Sequence, residues 1–146
     1  MGQQQLLLLV LATVIVGLAT VAGIQAFDQG QQQAATDALT QRAVEIATDI
    51  QAQDQKPQQL GGLDLSSSGD NAAAIAASVG FSSAAGIEAG GAGEGARCEI
   101  TKPGSGTAAV KCSEGNSEVG VKATYKPSTD PDIQTTMGSG ITAASQ

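Results

Sequence analysis

Residues 6–24 read LLLLVLATVIVGLATVAGI, a stretch of nineteen residues without a charge. The only polar side chains in it are those of Thr13 and Thr20, and no later part of the 146-residue chain is as apolar. At about 1.5 Å of rise per residue, a helix of this length crosses a bilayer hydrocarbon core of about 30 Å. The environment that covers this helix therefore decides both the fold and the function of the chain.

Helix-favouring sequence continues beyond the apolar stretch. Residues 25–55 contain no proline and a single glycine, Gly30, and they are rich in good helix formers. Lys56-Pro57 ends the pattern, because proline disfavours a helical predecessor. The sequence predicts one helix over residues 1–56, about 80 Å long, apolar nearly all round in residues 1–24 and amphipathic in residues 25–56. The apolar stripe of the second half consists of Leu39, Ala43, Ile46, Ala47 and Ile50.

Three interpretations of the apolar stretch compete. A cleaved secretory signal peptide needs a positive segment before an apolar core of about 7–15 residues, but the first basic residue here is Arg42. A permanent membrane anchor normally carries flanking Lys or Arg clusters, and neither flank has one. The third interpretation is a helix that starts in the membrane and ends in the core of a protein filament. It explains the asymmetry, since sister copies would surround the apolar half and the chain's own head would cover one face of the rest.

The N-terminal pattern resembles that of type IV pilins and of the wider pilin and pseudopilin superfamily. Mature pilins begin with a few residues, followed by a long apolar run that continues into an amphipathic helix under a β-rich head. Here Met1-Gly2-Gln3-Gln4-Gln5 precede residues 6–24 in that register. Gln5 stands where the family usually has a glutamate that meets the N-terminal amine of a neighbouring subunit, so it accepts a hydrogen bond but supplies no charge. A basic leader does not precede Met1 in this sequence, so three origins stay open: Met1 as the mature first residue, cleavage after Gly2, and a divergent lineage.

The resemblance implies a structural subunit that polymerises through its N-terminal helix into an extracellular, type IV pilus-like helical filament. Its partners would be identical copies, the inner membrane before assembly, the pilus assembly platform and a prepilin peptidase. Adhesion, motility and DNA uptake would all use such a fibre. The alternatives are a single-pass membrane-anchored adhesin or binding module and a pseudopilin of a secretion system. The residues expected to form the filament core are Gln5, Leu6, Leu7, Leu8, Leu9, Val10, Leu11, Val14, Ile15, Gly17, Leu18, Val21, Gly23, Ile24 and Phe27.

Composition favours an exported protein that is not an enzyme. Fourteen acidic residues, seven basic residues and no histidine give a net charge of −7, so nucleic acid is not expected as the main partner. Without histidine there is no Ser-His or Cys-His pair. We therefore predict no catalytic site and no cofactor site. We also predict no metal site, because a calcium-like loop from Asp64 has Ile75 where a bidentate glutamate belongs. A local basic patch remains open, made of Lys102, Lys111, Lys122 and Lys126.

The head, residues 57–146, is predicted to be a small antiparallel sheet, which makes the whole chain α+β. A short Ala-rich helix over residues 72–79, capped by Asp70 or Asn71, precedes a Gly/Ala/Ser-rich loop at residues 82–95. Strands at residues 96–102, 107–113 and 117–126 then form a meander over residues 96–126, with turns at residues 103–106 and 114–116. Residues 133–146 are either an edge strand or a surface tail.

The two cysteines fall at opposing positions of the first predicted hairpin. Symmetric folding places Cys98 opposite Cys112, Ile100 opposite Val110, and Lys102 opposite Ala108, all on one face. Cysteines directly opposite each other can reach disulfide geometry, and the chain holds only these two. Two reduced cysteines in a cytosolic core are the alternative, but export and a thin core of Ala and Val favour the bond.

Overall fold

The computed structural model describes residues 2–66, 69–115 and 119–143. The chain is α+β, as predicted, with a long N-terminal helix packed on an antiparallel sheet and one disulfide bond. It divides into two compact units, Met1–Ala34 and Ala35–Gln146, so the C-terminal part of the long helix belongs to the second unit. The predicted domain boundary after residue 56 stays a prediction. The elements are α1 (Gly2–Asp54), a 3-10 turn (Gln58–Leu60), α2 (Ala72–Ser78), β1 (Ile87–Glu88), β2 (Arg97–Gly104), β3 (Thr107–Ser113), β4 (Val119–Tyr125) and β5 (Ile133–Ser139).

The prediction of one uninterrupted N-terminal helix is confirmed. The buried side chains of α1 are the five of the predicted stripe, Leu39, Ala43, Ile46, Ala47 and Ile50. Their spacing of three and four residues places them on one helix face, and this face joins the core formed with the sheet. Ile75 and Ala76 of α2 belong to the same core. The side chain of Asn71 caps α2 by accepting a hydrogen bond from Ala74 N at 2.9 Å.

The sheet has five antiparallel strands in the order β1-β2-β3-β4-β5, so every strand pairs with its neighbour in sequence. Residues in register across the middle strands alternate between the two faces. The face toward α1 is made of small and medium apolar side chains together with one tyrosine. Its buried members on β2, β3 and β4 are Cys98, Ile100, Ala108, Val110, Cys112, Val121, Ala123 and Tyr125.

This sheet is larger than the predicted three-stranded meander. β1 lies inside the Gly/Ala/Ser-rich segment and is two residues long, too short to show an alternating pattern. Of the two alternatives for the C-terminal segment, the edge strand is found, since residues 133–139 form β5. The predicted pairing of Lys102 with Ala108 is wrong, because the register shifts between Thr101 and Gly104 and β2 extends to Gly104. Parts of the predicted second turn and third strand, residues 116–118, lie outside the described residues.

The chain beyond β5 crosses back over the outer face of the sheet, the face turned away from α1. After Gly140, whose φ is +81°, Ala143 N donates a hydrogen bond to Ser113 Oγ at 3.0 Å. The crossing passes over Gly120, where a Cβ atom would overlap the carbonyl of Ile141. Glycine at position 120 is therefore required by this close approach.

The predicted disulfide bond between Cys98 and Cys112 is confirmed. The two residues are register partners on β2 and β3, with Cα atoms 4.0 Å apart and no solvent exposure. The bond closes the hairpin at its end far from the turn. It therefore ties together the two strands on which the centre of the head core is built.

Removing this bond should lower the stability of the head. We expect the double variant Cys98→Ala, Cys112→Ala to lose about 3 kcal/mol, because a loop of this length gains about that much from closure. Chemical denaturation of the full chain in detergent micelles, followed by fluorescence of the single tyrosine, measures the loss. A reducing agent should destabilise the wild type similarly and leave the double variant unchanged; equal stability of the two proteins would contradict the prediction.

Candidate functional site

The candidate site is the apolar surface of α1, which we define as residues 6–24. All of its large apolar side chains are at least half exposed, from 52% for Val10 to 71% for Leu7. Consecutive residues are exposed, so the apolar surface extends round the whole circumference of the helix. By length and composition α1 can cross a membrane, a property that signal sequences share. An exposed apolar area of this extent marks a surface that another apolar body covers.

The polar side chains within this surface are already satisfied by the helix itself. Thr13 Oγ1 donates to the carbonyl of Val10 at 2.8 Å, and Thr20 Oγ1 donates to the carbonyl of Gly17 at 2.8 Å. The backbone groups of a helix are likewise bonded along the helix. The surface therefore needs no water, which suits burial in lipid or among other helices.

Two glycines in this surface are not explained by packing within the described chain. A Cβ atom at Gly17 or Gly23 would meet nothing within 4 Å. Glycine lowers helix propensity by about 1 kcal/mol relative to alanine, so its presence here is not a gain for the isolated helix. In apolar surroundings, small residues let a second helix approach closely. Gln5 and Phe27, at the two ends of the predicted core set, are also exposed.

The C-terminal end of α1 is fixed to the sheet by two polar contacts that sequence analysis missed. Tyr125 Oη donates to Asp54 Oδ2 at 2.8 Å, and Gln51 Nε2 donates to Asp132 Oδ2 at 3.2 Å. Burial, followed by the hydrogen bond to Asp54 and the negative charge there, raises the pKa of Tyr125 above its ordinary range. The contacts hold the last turns of α1 against β4 and the chain that leads into β5.

Two open cavities in the head are lined by polar side chains. One, of about 430 Å³, lies among Gln51, Ile133 and residues 129–132. The other, of about 340 Å³, lies beside Arg42, whose guanidinium pairs with Glu45 at 2.7 Å and lies 5.7 Å from the ring centre of Phe81. The described residues contain no group of three or more His, Cys, Asp or Glu side chains that could hold a metal ion. The absence of enzymatic activity stays a prediction.

In the calcium-like loop beginning at Asp64, the carboxylates of Asp64 and Asp70 accept hydrogen bonds from main-chain groups of the loop itself. Asp64 Oδ1 accepts from Ser66 N at 2.9 Å, and Asp70 Oδ2 accepts from Asp64 N at 2.9 Å. Hydrogen bonds from the side chain and the main-chain N–H of Ser66 lower the pKa of Asp64. The ammonium of Lys102 donates to the carbonyls of Ser66 and Asp70. This use of Lys102 separates it from Lys111 and Lys122, which are register partners on the outer face of the sheet. The structure thus brings two of the four candidate basic-patch residues together.

No protein-family model, curated protein or solved structure matches this chain. The structure itself has a long apolar N-terminal helix, a small antiparallel sheet and one disulfide bond, a combination compatible with a pilin-like fold. The resemblance therefore depends on the sequence pattern of α1 and on this architecture.

The single tyrosine allows a direct test of the contact with Asp54. We expect Tyr125 in the folded chain to ionise well above the ordinary pKa of about 10. The contribution of this protonated tyrosine to stability is complete below the ordinary pKa of the unfolded chain. It is lost as the pH rises through the raised pKa of the folded chain, because the unfolded chain releases the proton first. Near-ultraviolet absorbance of tyrosinate, measured on the full chain in detergent micelles, follows this group alone.

Two matched variants separate the effect of Asp54 from general changes in charge. Asp54→Asn should lower the pKa of Tyr125 toward its ordinary value, because the neighbouring negative charge is gone. Asp49→Asn, at an exposed position on the same helix, should leave the pKa of Tyr125 unchanged. Ionisation of the folded wild type at the same pH as the denatured chain would refute the assignment.

Proposed function

We propose that this chain is the structural subunit of a type IV pilus-like helical filament. The main observation in support of this proposal is a difference along α1. Residues 6–24 expose an apolar surface round the full circumference of the helix, whereas residues 39–50 bury one stripe in the head. An environment that covers a helix on all sides suits the first part, and a single head domain suits the second. A filament in which sister helices surround one another provides both environments.

The assembly step follows from the chemistry of this surface. Before assembly, residues 6–24 reside in the membrane, where lipid covers them. During assembly, a platform in the inner membrane releases the subunit, and the apolar helix exchanges lipid for the same segment of neighbouring copies. Because lipid is as apolar as leucine, this exchange gains little hydrophobic free energy, and close packing has to supply the rest. Gly17, Ala19, Ala22 and Gly23 provide the small side chains that such packing needs.

The family relationship and the cellular location belong to the same proposal. The order of the N-terminal residues, an apolar helix after Gln5 and a disulfide-bonded β-rich head support membership of the pilin superfamily. The filament would lie outside the cell, and a pseudopilin role would place a shorter filament inside a secretion machine. Adhesion and motility are activities of the complete fibre.

A single-pass anchor is the second candidate, and a specific observation favours it. The apolar part of α1 is long enough to cross a bilayer, and in a monomer lipid alone would cover it. The two candidates predict different products when cells are sheared. Uniform fibres of this chain in the supernatant support the filament, whereas a chain that stays with the membrane as a monomer supports the anchor.

Substitution at Gly17 tests the filament at the level of side chains. We expect Gly17→Trp to abolish filaments, because an indole ring would hold neighbouring helices apart. Membrane insertion should stay intact, since a Cβ atom at this site meets no described residue within 4 Å. Gly17→Ala is the matched control and should still assemble, because alanine permits close approach. Electron microscopy of sheared fractions and membrane fractionation measure the two effects. Normal filaments of Gly17→Trp would argue against the proposal.

A further inference from the structure

The two edges of the sheet differ in how they are protected. The β1 edge is only two residues long and carries the charge of Glu88. The β5 edge, Ile133–Ser139, is seven residues long, contains neither charge nor proline, and pairs with β4 in an unbroken register. Charged side chains, prolines, bulges and short length are the usual means of blocking an edge strand. The β5 edge has none of them.

The hydrogen-bonding pattern shows which main-chain groups of β5 point outward. Lys126 N donates to Asp132 O at 2.8 Å, which marks these residues as a hydrogen-bonded pair. Because such pairs alternate with non-hydrogen-bonded pairs along an antiparallel ladder, residues 134, 136 and 138 bond to β4. Residues 133, 135, 137 and 139 therefore direct their N–H and C=O groups away from β4. Within the described part of the chain, no backbone bond satisfies these groups.

The described segment that follows β5 leaves this edge open. The segment after β5 runs over Gly120 toward Ser113, and thus over β4 and β3 rather than along the edge. On the core face, Met137 is 56% exposed although its register partner Val121 is fully buried. The edge thus combines unpaired main-chain groups with an uncovered apolar side chain.

We propose that the β5 edge is a self-association site at which a second copy of this chain pairs its own β5 antiparallel to the first. The register that uses all four outward-facing residues places Thr135 opposite Met137 of the copy and Ile133 opposite Ser139 of the copy. Each such pair exchanges two main-chain hydrogen bonds. A register shifted by one pair in either direction would use only three of these four residues in each copy.

The side chains of β5 are complementary to themselves in this register. Met137 lies beside Thr135 of the copy on the core face, and Thr136 faces Thr136 of the copy on the outer face, a cross-strand pair that stabilises sheets. The segment contains no charge, so two copies of a chain with a net charge of −7 can meet here without opposing like charges. A second copy is therefore the partner that satisfies both the main chain and the side chains.

The symmetry of the contact says where it would act. An antiparallel pair of identical strands has a two-fold axis, and such a contact is closed. Subunits along a polar filament are related by a screw operation and have no two-fold axis between them. The contact therefore joins subunits of two adjacent filaments; this step alone rests on the proposed function.

Site-specific disulfide formation tests the pairing. In the proposed register Thr136 and its copy form a non-hydrogen-bonded pair, with Cα atoms about 4.5 Å apart. Cys98 and Cys112 are register partners with a similarly short Cα separation of 4.0 Å, and their sulfur atoms are joined in a disulfide bond. Neither native cysteine is free, so Thr136→Cys supplies the single reactive thiol of the full chain. On mild oxidation in detergent micelles, non-reducing electrophoresis should show a covalent dimer.

The matched control is Gln134→Cys, which is exposed on the same face of the same strand. In the proposed register residue 134 faces Gly138 of the copy, so this variant should stay monomeric. Failure of Thr136→Cys to dimerise, or equal dimer yields from both variants, would overturn the proposal. Contact between apolar helices in one micelle would give such equal yields. Because the test needs no filament, it is independent of the outcome for Gly17→Trp.

A proline provides a second measurement. The N–H of Thr135 points outward, so Thr135→Pro removes a donor from the edge and none from the ladder with β4. Added to Thr136→Cys, it should abolish the covalent dimer while the raised pKa of Tyr125 shows that the head is still folded. A dimer that persists in the double variant would refute edge pairing.

Discussion

The head depends on one contact, the packing of the stripe at residues 39–50 of α1 against the core face of the sheet. The sheet offers mainly alanine, valine and cysteine side chains to this contact, so the apolar area buried per residue is small. Burial stabilises in proportion to that area, and a small head with a thin core needs additional ties. The bond between Cys98 and Cys112 and the contact of Tyr125 with Asp54 supply a covalent tie and a polar one.

The same helix meets two different requirements along its length. Residues 39–50 bury one face, because the head covers one side of α1. Residues 6–24 are apolar on all sides, and their threonine hydroxyls are bonded within the helix. A helix with no polar group left to hydrate can move between lipid and protein without breaking hydrogen bonds. This freedom is what the proposed exchange of lipid for sister helices requires.

Two surfaces are left uncovered by the described residues, and they differ in chemistry. The apolar surface of α1 gains from contact with any apolar body, so in the proposed filament its specificity would come from the close approach that Gly17 and Gly23 allow. The β5 edge gains only from an extended backbone held at the right distance and register. Its specificity is geometric and its strength comes from main-chain hydrogen bonds. Under the two proposals made above, the chain associates through these surfaces by two separate kinds of interaction.

The sequence alone determined the features that depend on local periodicity. It predicted α1 and its buried stripe, because helical spacing is visible within a few turns, and it paired Cys98 with Cys112, because a short hairpin has one symmetric folding. Tertiary structure alone decided β1, the register shift before Gly104, the hydrogen bonds of Lys102 and the contact of Tyr125 with Asp54. Tyr125 and Asp54 are 71 positions apart, and no pattern in either segment refers to the other. Such contacts arise only when α1 has been laid on the sheet, since that packing sets which distant groups come within hydrogen-bonding distance.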